Sequence, residues 1–216
     1  MTGFAGLPIP RLLARHGLLG LIVAGAALAG SAVGARAQAL TEEDILRALL
    51  PPAQTRSLST AIRNGADEPP RLELFRNRTS FSALEREQLA AASDGRPHID
   101  LDVPFAFNSS RLDAKALPVV KMLGATLARR ELSGSTFLIA GHTDGKGSDR
   151  GNQVLSERRA IAVKRYIVEN YGVPAANLIS IGYGKSRPKD AGDPLAARNR
   201  RVVAVNLSSV KSASRD

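Results

Sequence analysis

Residues 137–167, FLIAGHTDGKGSDRGNQVLSERRAIAVKRYI, constrain this chain more than any other stretch. An apolar run, Thr136 to Ala140, reads as a strand and leads into a glycine-rich polar turn, Gly141 to Gly151. A long helical pattern over about 152–171 follows. A buried strand feeding such a helix needs a sheet for the helix to pack on. On a wheel of about 100° per residue, Asn152, Leu155, Arg159, Val163 and Ile167 share one broad stripe. Leu155 and Val163 read as core, whereas Arg158, Lys164 and Arg165 point elsewhere and read as solvated. Arg159 therefore stands on the apolar stripe, where an arginine is costly without a partner or a polar cavity. Asp144, in the preceding turn, is a candidate for that partner.

The flanking chain supplies the rest of a sheet. Residues 99–107, IDLDVPFAF, alternate Ile99, Leu101, Val103, Phe105 and Phe107 with other residues, the pattern of a half-buried strand. Pro104 in it suggests an edge or a bulge. A helix is expected over 113–130, weakened by Pro118 and Gly124. Tyr171-Gly172-Val173-Pro174 stops the second helix. Leu178 to Ile181 and Val202 to Leu207 give two more strands, separated by a turn-rich segment and the basic cluster Arg198 to Arg201. Strands alternating with helices argue for a sheet with helices packed on it, and the helical crossovers suggest parallel neighbours.

Before this region the pattern is sparser. Thr41 with Glu42, Glu43 and Asp44 caps a short helix over 42–50, which Pro51-Pro52 ends. Residues 53–80 have no sustained period and read as a linker. Ser82-Ala83-Leu84-Glu85 has the form of a capping box opening a helix to about Ala92. At the N-terminus, Arg11 and Arg15 precede an uncharged run, Gly17 to Ala35, and two small-residue cleavage patterns around Ala37 and Ala39. That is the layout of a secretory signal, with cleavage expected after Ala37. The alternative is an uncleaved membrane anchor, for which the run is just long enough. The expected division is signal 1–37, helical and linker extension 38–96, compact domain 97–210 and tail 211–216.

The formal charge of +10 suits a nucleic acid, a membrane surface or an anionic polymer. Removing residues 1–37 takes three arginines and no acid, leaving about +7. There are no cysteines, which excludes disulfides, thiolate metal sites and cysteine nucleophiles.

On the residues alone, Asp144 and Arg159 have two readings. They form a structural ion pair, or each keeps free valence for a ligand. A carboxylate and a guanidinium held apart match a zwitterion, with Asp144 taking an ammonium and Arg159 a carboxylate bidentately. The glycines around Asp144 would let a ligand approach the backbone.

Gly141-His142-Thr143-Asp144, Gly147, then Asn152-x-x-Leu155-Ser156-x-x-Arg159-Ala160-x-x-Val163 and Ile167 resemble the OmpA-like (OmpA/MotB C-terminal) peptidoglycan-binding domain. Gly182-Tyr183-Gly184-x-x-Arg187-Pro188 and Asn199-Arg200-Arg201-Val202 match its later motifs in order. The resemblance covers roughly residues 97–210. It implies an α+β fold of βαβαβ type, with one mixed sheet and helices packed on one face. It also implies a ligand, the stem peptide of peptidoglycan, held by its diaminopimelate residue. The family's acidic and basic ligand positions fall on Asp144 and Arg159. Thr143 and Gly141 would shape the turn and offer a backbone donor to a carboxylate. Asn152 would cap the helix or touch ligand. Asn108 and Ser109 correspond to a polar turn that would line the cleft, with plain turn chemistry as the alternative. Arg200 and Arg201 could meet acidic groups of peptidoglycan, with one packed and one solvated residue as the alternative. The segment between Pro188 and Asn199 is shorter than the commonest family form, and Ala196 replaces a frequent arginine.

Other chemistries find less support. His142 and Asp144 lack a third metal ligand, so no metal or cofactor is expected. Gly145-Lys146 lacks the rest of a phosphate loop. Nucleic-acid binding rests on charge only, and with 4% aromatic residues there are few stacking platforms. Cutting peptidoglycan would need paired carboxylates or an activated nucleophile, so an enzyme is not expected. The expectation is a periplasmic protein, associated with the cell wall or outer membrane, that binds peptidoglycan and tethers an envelope protein partner through residues 38–96. The alternative is an inner-membrane-anchored scaffold or stator-like component, although Gly17 to Ala35 carries no ionisable residue for proton conduction.

Overall fold

The computed structural model describes residues 40–51 and 72–208. The expected signal, most of the linker and the tail 211–216 lie outside the described residues. Helix α1 (Glu42–Leu49) starts at Thr41, whose hydroxyl accepts from the Asp44 amide while the Asp44 carboxylate accepts from the Thr41 amide. Helix α2 (Ala83–Ser93) is capped in the same reciprocal way by Ser82 and Glu85. Strand β1 (His98–Leu101), helix α3 (Leu117–Leu127), strand β2 (Phe137–Gly141), helix α4 (Asp149–Tyr171), strand β3 (Leu178–Gly182) and strand β4 (Val202–Asn206) follow.

The four strands form one mixed sheet in the order β1-β4-β2-β3. Strands β2 and β3 are parallel across the α4 crossover. Strand β4 runs antiparallel to both β1 and β2, and so separates the two strands that the first crossover joins. The expectation of parallel neighbours therefore holds for the α4 crossover and not for the α3 one.

Alternate residues of each strand serve opposite faces. Phe137, Ile139, Leu178, Val202 and Ala204 face α1, α3 and α4, in a core with Val120, Leu123, Val163 and Ile167. Leu138, Ala140, Ile179, Ile181, Val203 and Val205 face the other way, onto Phe75, Phe81, Leu89 and Ala90. Helices α3 and α4 thus share one face, and α2 with the 3-10 turn Leu72–Phe75 covers the opposite one. Helix α1 buries Ile45, Leu46 and Leu49 in the first core. Each such side chain contributes roughly 1.5–3 kcal/mol. The last-turn carbonyl of Leu49 accepts from Asn206 Nδ2 at 3.0 Å, which ties α1 to β4. The elements before Pro97 are therefore part of the packed body.

Two elements are shorter than the sequence pattern implies. Strand β1 ends at Leu101, not Phe107, because its partner begins at Val202 in register with Leu101. Beyond that point Val103 stays buried, but Phe107 is 89% exposed. Helix α3 begins at Leu117, with Pro118 in its first turn, after a turn in which Asp113 Oδ1 accepts from the Lys115 and Ala116 amides. Gly124 sits inside α3 because a Cβ there would lie 2.4 Å from the Tyr171 ring. Helix α4 starts three residues earlier than expected, capped by Ser148, and ends at the left-handed Gly172.

Candidate functional site

The turn after β2 is pinned on both sides. The amides of His142, Thr143 and Gly145 donate to the carbonyls of Arg201 (3.0 Å), Gly184 (2.9 Å) and Pro194 (2.7 Å). Helix α4 lies unusually close behind it. A Cβ on Gly141 would sit 2.3 Å from the Ser156 carbonyl oxygen, and one on Gly182 would sit 2.4 Å from the Glu157 amide. Contacts that short are not tolerated, so glycine at both positions sets the helix-to-sheet distance. Ser156 itself is buried and its Oγ accepts from the Gly184 amide at 2.8 Å. Arg159 lies one turn further along α4.

The structure corrects four expectations about this region. The space beside Gly141 belongs to α4 and not to a ligand, and the amides of His142, Thr143 and Gly145 are already committed. Asn152 does not cap the helix. It is buried in the second turn, and its Nδ2 donates to the Lys146 carbonyl at 2.8 Å, holding the glycine-rich turn against α4. Leu155 is half-buried on the groove side of α4 rather than core. Lys164 is also half-buried, and burial lowers its pKa.

Asp144 projects from the turn with 19% of its side chain exposed. Its Oδ1 accepts from the Lys146 amide at 3.2 Å, and its Oδ2 accepts from Arg200 Nη1 at 2.9 Å. The partner of Asp144 is thus Arg200, not Arg159. Arg159 is 6% exposed. Its Nε donates to the Ser109 carbonyl at 2.9 Å, its Nη2 to the Ala106 carbonyl at 3.4 Å, and its guanidinium lies 4.7 Å from the centre of the Phe105 ring. Burial lowers its pKa; the charge of Asp144 acts in the opposite direction, and that of Arg200 adds to the lowering. Among the described residues no carboxylate pairs with it, and Nη1 has no acceptor.

The polar turn works through its backbone. Ser109 presents its carbonyl to Arg159, while its hydroxyl accepts from the Arg111 amide at 3.1 Å. Asn108 is exposed with φ of 50°, a conformation asparagine tolerates better than most residues. Thr143 is 3% exposed, and its Oγ1 has no partner. His142 is buried too and stacks on Tyr183 with ring centres 5.4 Å apart. Burial, and next the nearby Arg201, push its pKa from 6.5 down to about 3.

Of the basic cluster, Arg201 is the packed residue. It donates to Asp100 Oδ1 at 3.3 Å and to the Arg187 carbonyl at 3.4 Å. Arg200 is half exposed and belongs to the site. Asn199, fully buried, closes the loop behind Asp144: its Nδ2 donates to the carbonyls of Asp190, Asp193 and Pro194, and its Oδ1 accepts from the Asp190 amide at 2.8 Å. The sequence offered Arg200 as a contact to acidic groups but not as the partner of Asp144, which lies far away in the chain, and it gave no sign of Asn199, which acts on the backbone.

A sequence model described as the OmpA family matches residues 104–201. Outer membrane porin F of Pseudomonas aeruginosa is 39% identical over 108 residues, covering 49% of this chain and 30% of that protein. The peptidoglycan-associated lipoprotein of Legionella pneumophila is 40% identical over 108 residues, covering 49% of this chain and 59% of that one. The chain thus spans less than two thirds of the length of these curated relatives. Among solved structures, the OmpA-like domain of FopA1 from Francisella tularensis aligns with a TM-score of 0.43 at 25% identity, over 50% of this chain and 69% of that one. The stretch that the OmpA sequence model matches includes the turn with Asp144, the whole of α4 with Arg159, and Arg200. Residues 104–201 of this chain thus form an OmpA-like domain.

Proposed function

We propose that this protein binds peptidoglycan non-covalently in the periplasm, through the diaminopimelate residue of the stem peptide. Asp144 takes the ammonium of the diaminopimelate side chain, and Arg159 takes the adjoining carboxylate. The observation that carries this reading is the state of Arg159. A guanidinium 6% exposed, held by two carbonyls and an aromatic ring, has no carboxylate partner among the described residues and keeps N–H groups free. Burying a charge without its counter-charge costs several kcal/mol, and such groups cluster at functional sites. A ligand carboxylate supplies the missing partner in the bidentate geometry arginine favours.

The relative named a peptidoglycan-associated lipoprotein supports the choice of polymer. No step of the reading needs a catalytic group, so the protein acts by binding, not as an enzyme. Residues 38–96 join the wall-bound domain to an envelope protein partner. Export with cleavage after Ala37 places it in the periplasm, at the cell wall or outer membrane. An N-terminus at Gln38 or Leu40 on the exported protein is expected, and Met1 on membrane-bound protein would favour the anchored alternative.

The direct test is co-sedimentation with purified peptidoglycan. Wild type should pellet, and Asp144→Ala and Arg159→Ala should remain soluble with unchanged circular dichroism. Arg159→Lys keeps a charge at the site but loses the fork, and should also bind poorly. Wild-type retention by these variants would sink the assignment.

A further inference from the structure

Two concavities among the described residues lie along α4, and neither is lined by Asp144 or Arg159. One groove of about 520 Å³ runs along the outward flank of α4, between Arg111 and Arg158 at one end and Arg165 and Glu169 at the other. A second, of about 410 Å³, lies between Asn108, Arg150 and Arg158. Arg158 lines both, so the two grooves adjoin at its side chain and together make a channel along the helix. From Arg150 to Arg165 it follows α4 for about 22 Å, at 1.5 Å per residue.

The charge of this channel is one-sided. Arg111, Arg150, Arg158 and Arg165 line it, against a single acid, Glu169. Elsewhere arginines are largely neutralised: Arg78, Arg129, Arg187 and Arg201 each pair with a carboxylate. The four channel arginines have no carboxylate partner among the described residues. The floor between them is apolar, with Leu112, Leu155 and Ile161. Four unpaired guanidiniums over an apolar floor form a site for an extended anion, since like charges held together are stabilised by a ligand of opposite sign.

We propose that this channel is a second binding site for peptidoglycan, taking the free carboxylates of stem peptides beyond the one held by Asp144 and Arg159. This rests on the peptidoglycan reading above. The polymer is chosen by continuity. Asn108, at the mouth of the channel, immediately precedes Ser109, whose carbonyl holds Arg159. A polymer engaged at Arg159 passes directly into the channel, where its next carboxylates meet Arg158, Arg111 and Arg165. Contacts on one strand reinforce each other, because the second is made at high effective concentration.

Two ligands separate this site from the first. A soluble disaccharide-tetrapeptide containing one diaminopimelate reaches the clamp alone; intact sacculi reach both. The variant is Arg158→Gln/Arg165→Gln, at two exposed positions on α4. It should bind the soluble fragment within about twofold of wild type, yet show about tenfold weaker retention on sacculi, with less sensitivity to added salt. Wild-type retention on sacculi by the double variant would overturn the proposal. Weakened binding to phosphatidylglycerol vesicles with unchanged binding to sacculi would also overturn it, by assigning the channel to a membrane surface. If wild type binds sacculi through these arginines but does not bind the soluble fragment, the clamp reading fails while the channel stands.

Discussion

Asp144 Oδ2 accepts a hydrogen bond from Arg200 Nη1 at 2.9 Å, while Arg159, the arginine of the neighbouring helix, is held by the carbonyls of Ser109 and Ala106. The acid and the base proposed to grip the two ends of a zwitterion are thus not spent on each other. Arg200 occupies the position that a ligand ammonium would take at Asp144.

Displacing Arg200 costs little, because Arg200 is half exposed and ion pairs open to solvent contribute about 0–1 kcal/mol. Arg200→Ala should therefore leave the fold intact and tighten ligand binding by no more than about fivefold, as measured by titration calorimetry. A large loss of affinity would show instead that Arg200 itself grips the ligand.

The closeness of α4 to the strand ends predicts the most damaging small substitution. In Gly141→Ala the new methyl meets the Ser156 carbonyl at 2.3 Å, and neither backbone can yield without moving Arg159. Overpacking of this kind costs about 1–3 kcal/mol. The thermal unfolding midpoint should fall accordingly, and ligand affinity should fall with it although the added methyl points at Ser156 and not at Asp144 or Arg159. A variant as stable and as tight as wild type would contradict the close-packing argument.

Burial of His142 makes stability fall with acid. Its pKa is 6.5 when unperturbed and about 3 in the fold, so between those values the unfolded chain binds the extra proton. The contribution is complete above pH 6.5 and is lost as pH falls through this window, by at most about 1.4 kcal/mol per unit. His142→Phe keeps a ring against Tyr183 and removes an Nδ1 that has no partner. Denaturant midpoints between pH 6 and 5, above the range where ordinary carboxylates titrate, should then lose most of their slope. A slope unchanged by the substitution would place its source elsewhere.

Local chemistry made the helices readable. Thr41 with Asp44, and Ser82 with Glu85, are caps written within four residues of sequence, and both form. Asn152 misled because asparagine is a good cap in the abstract, while Ser148 lay at the true start. Periodicity identified the strands but not their order, since the insertion of β4 between β1 and β2 is decided by pairing across the whole chain. The same limit applied at the site. Arg159 stood out as a charge on an apolar stripe, and Asp144 as an acid among glycines. That Arg200, fifty-six residues beyond Asp144, pairs with it could not be read from spacing.

The central claim is that Arg159 recognises the carboxylate that distinguishes diaminopimelate from lysine. The most direct measurement is calorimetric titration of the wild-type protein with two soluble muropeptides, identical except for diaminopimelate or lysine at the third position of the stem. Wild type should bind the diaminopimelate form tightly and the lysine form at least about tenfold more weakly, and Arg159→Lys should lose that preference. Equal affinity of wild type for the two peptides would contradict it.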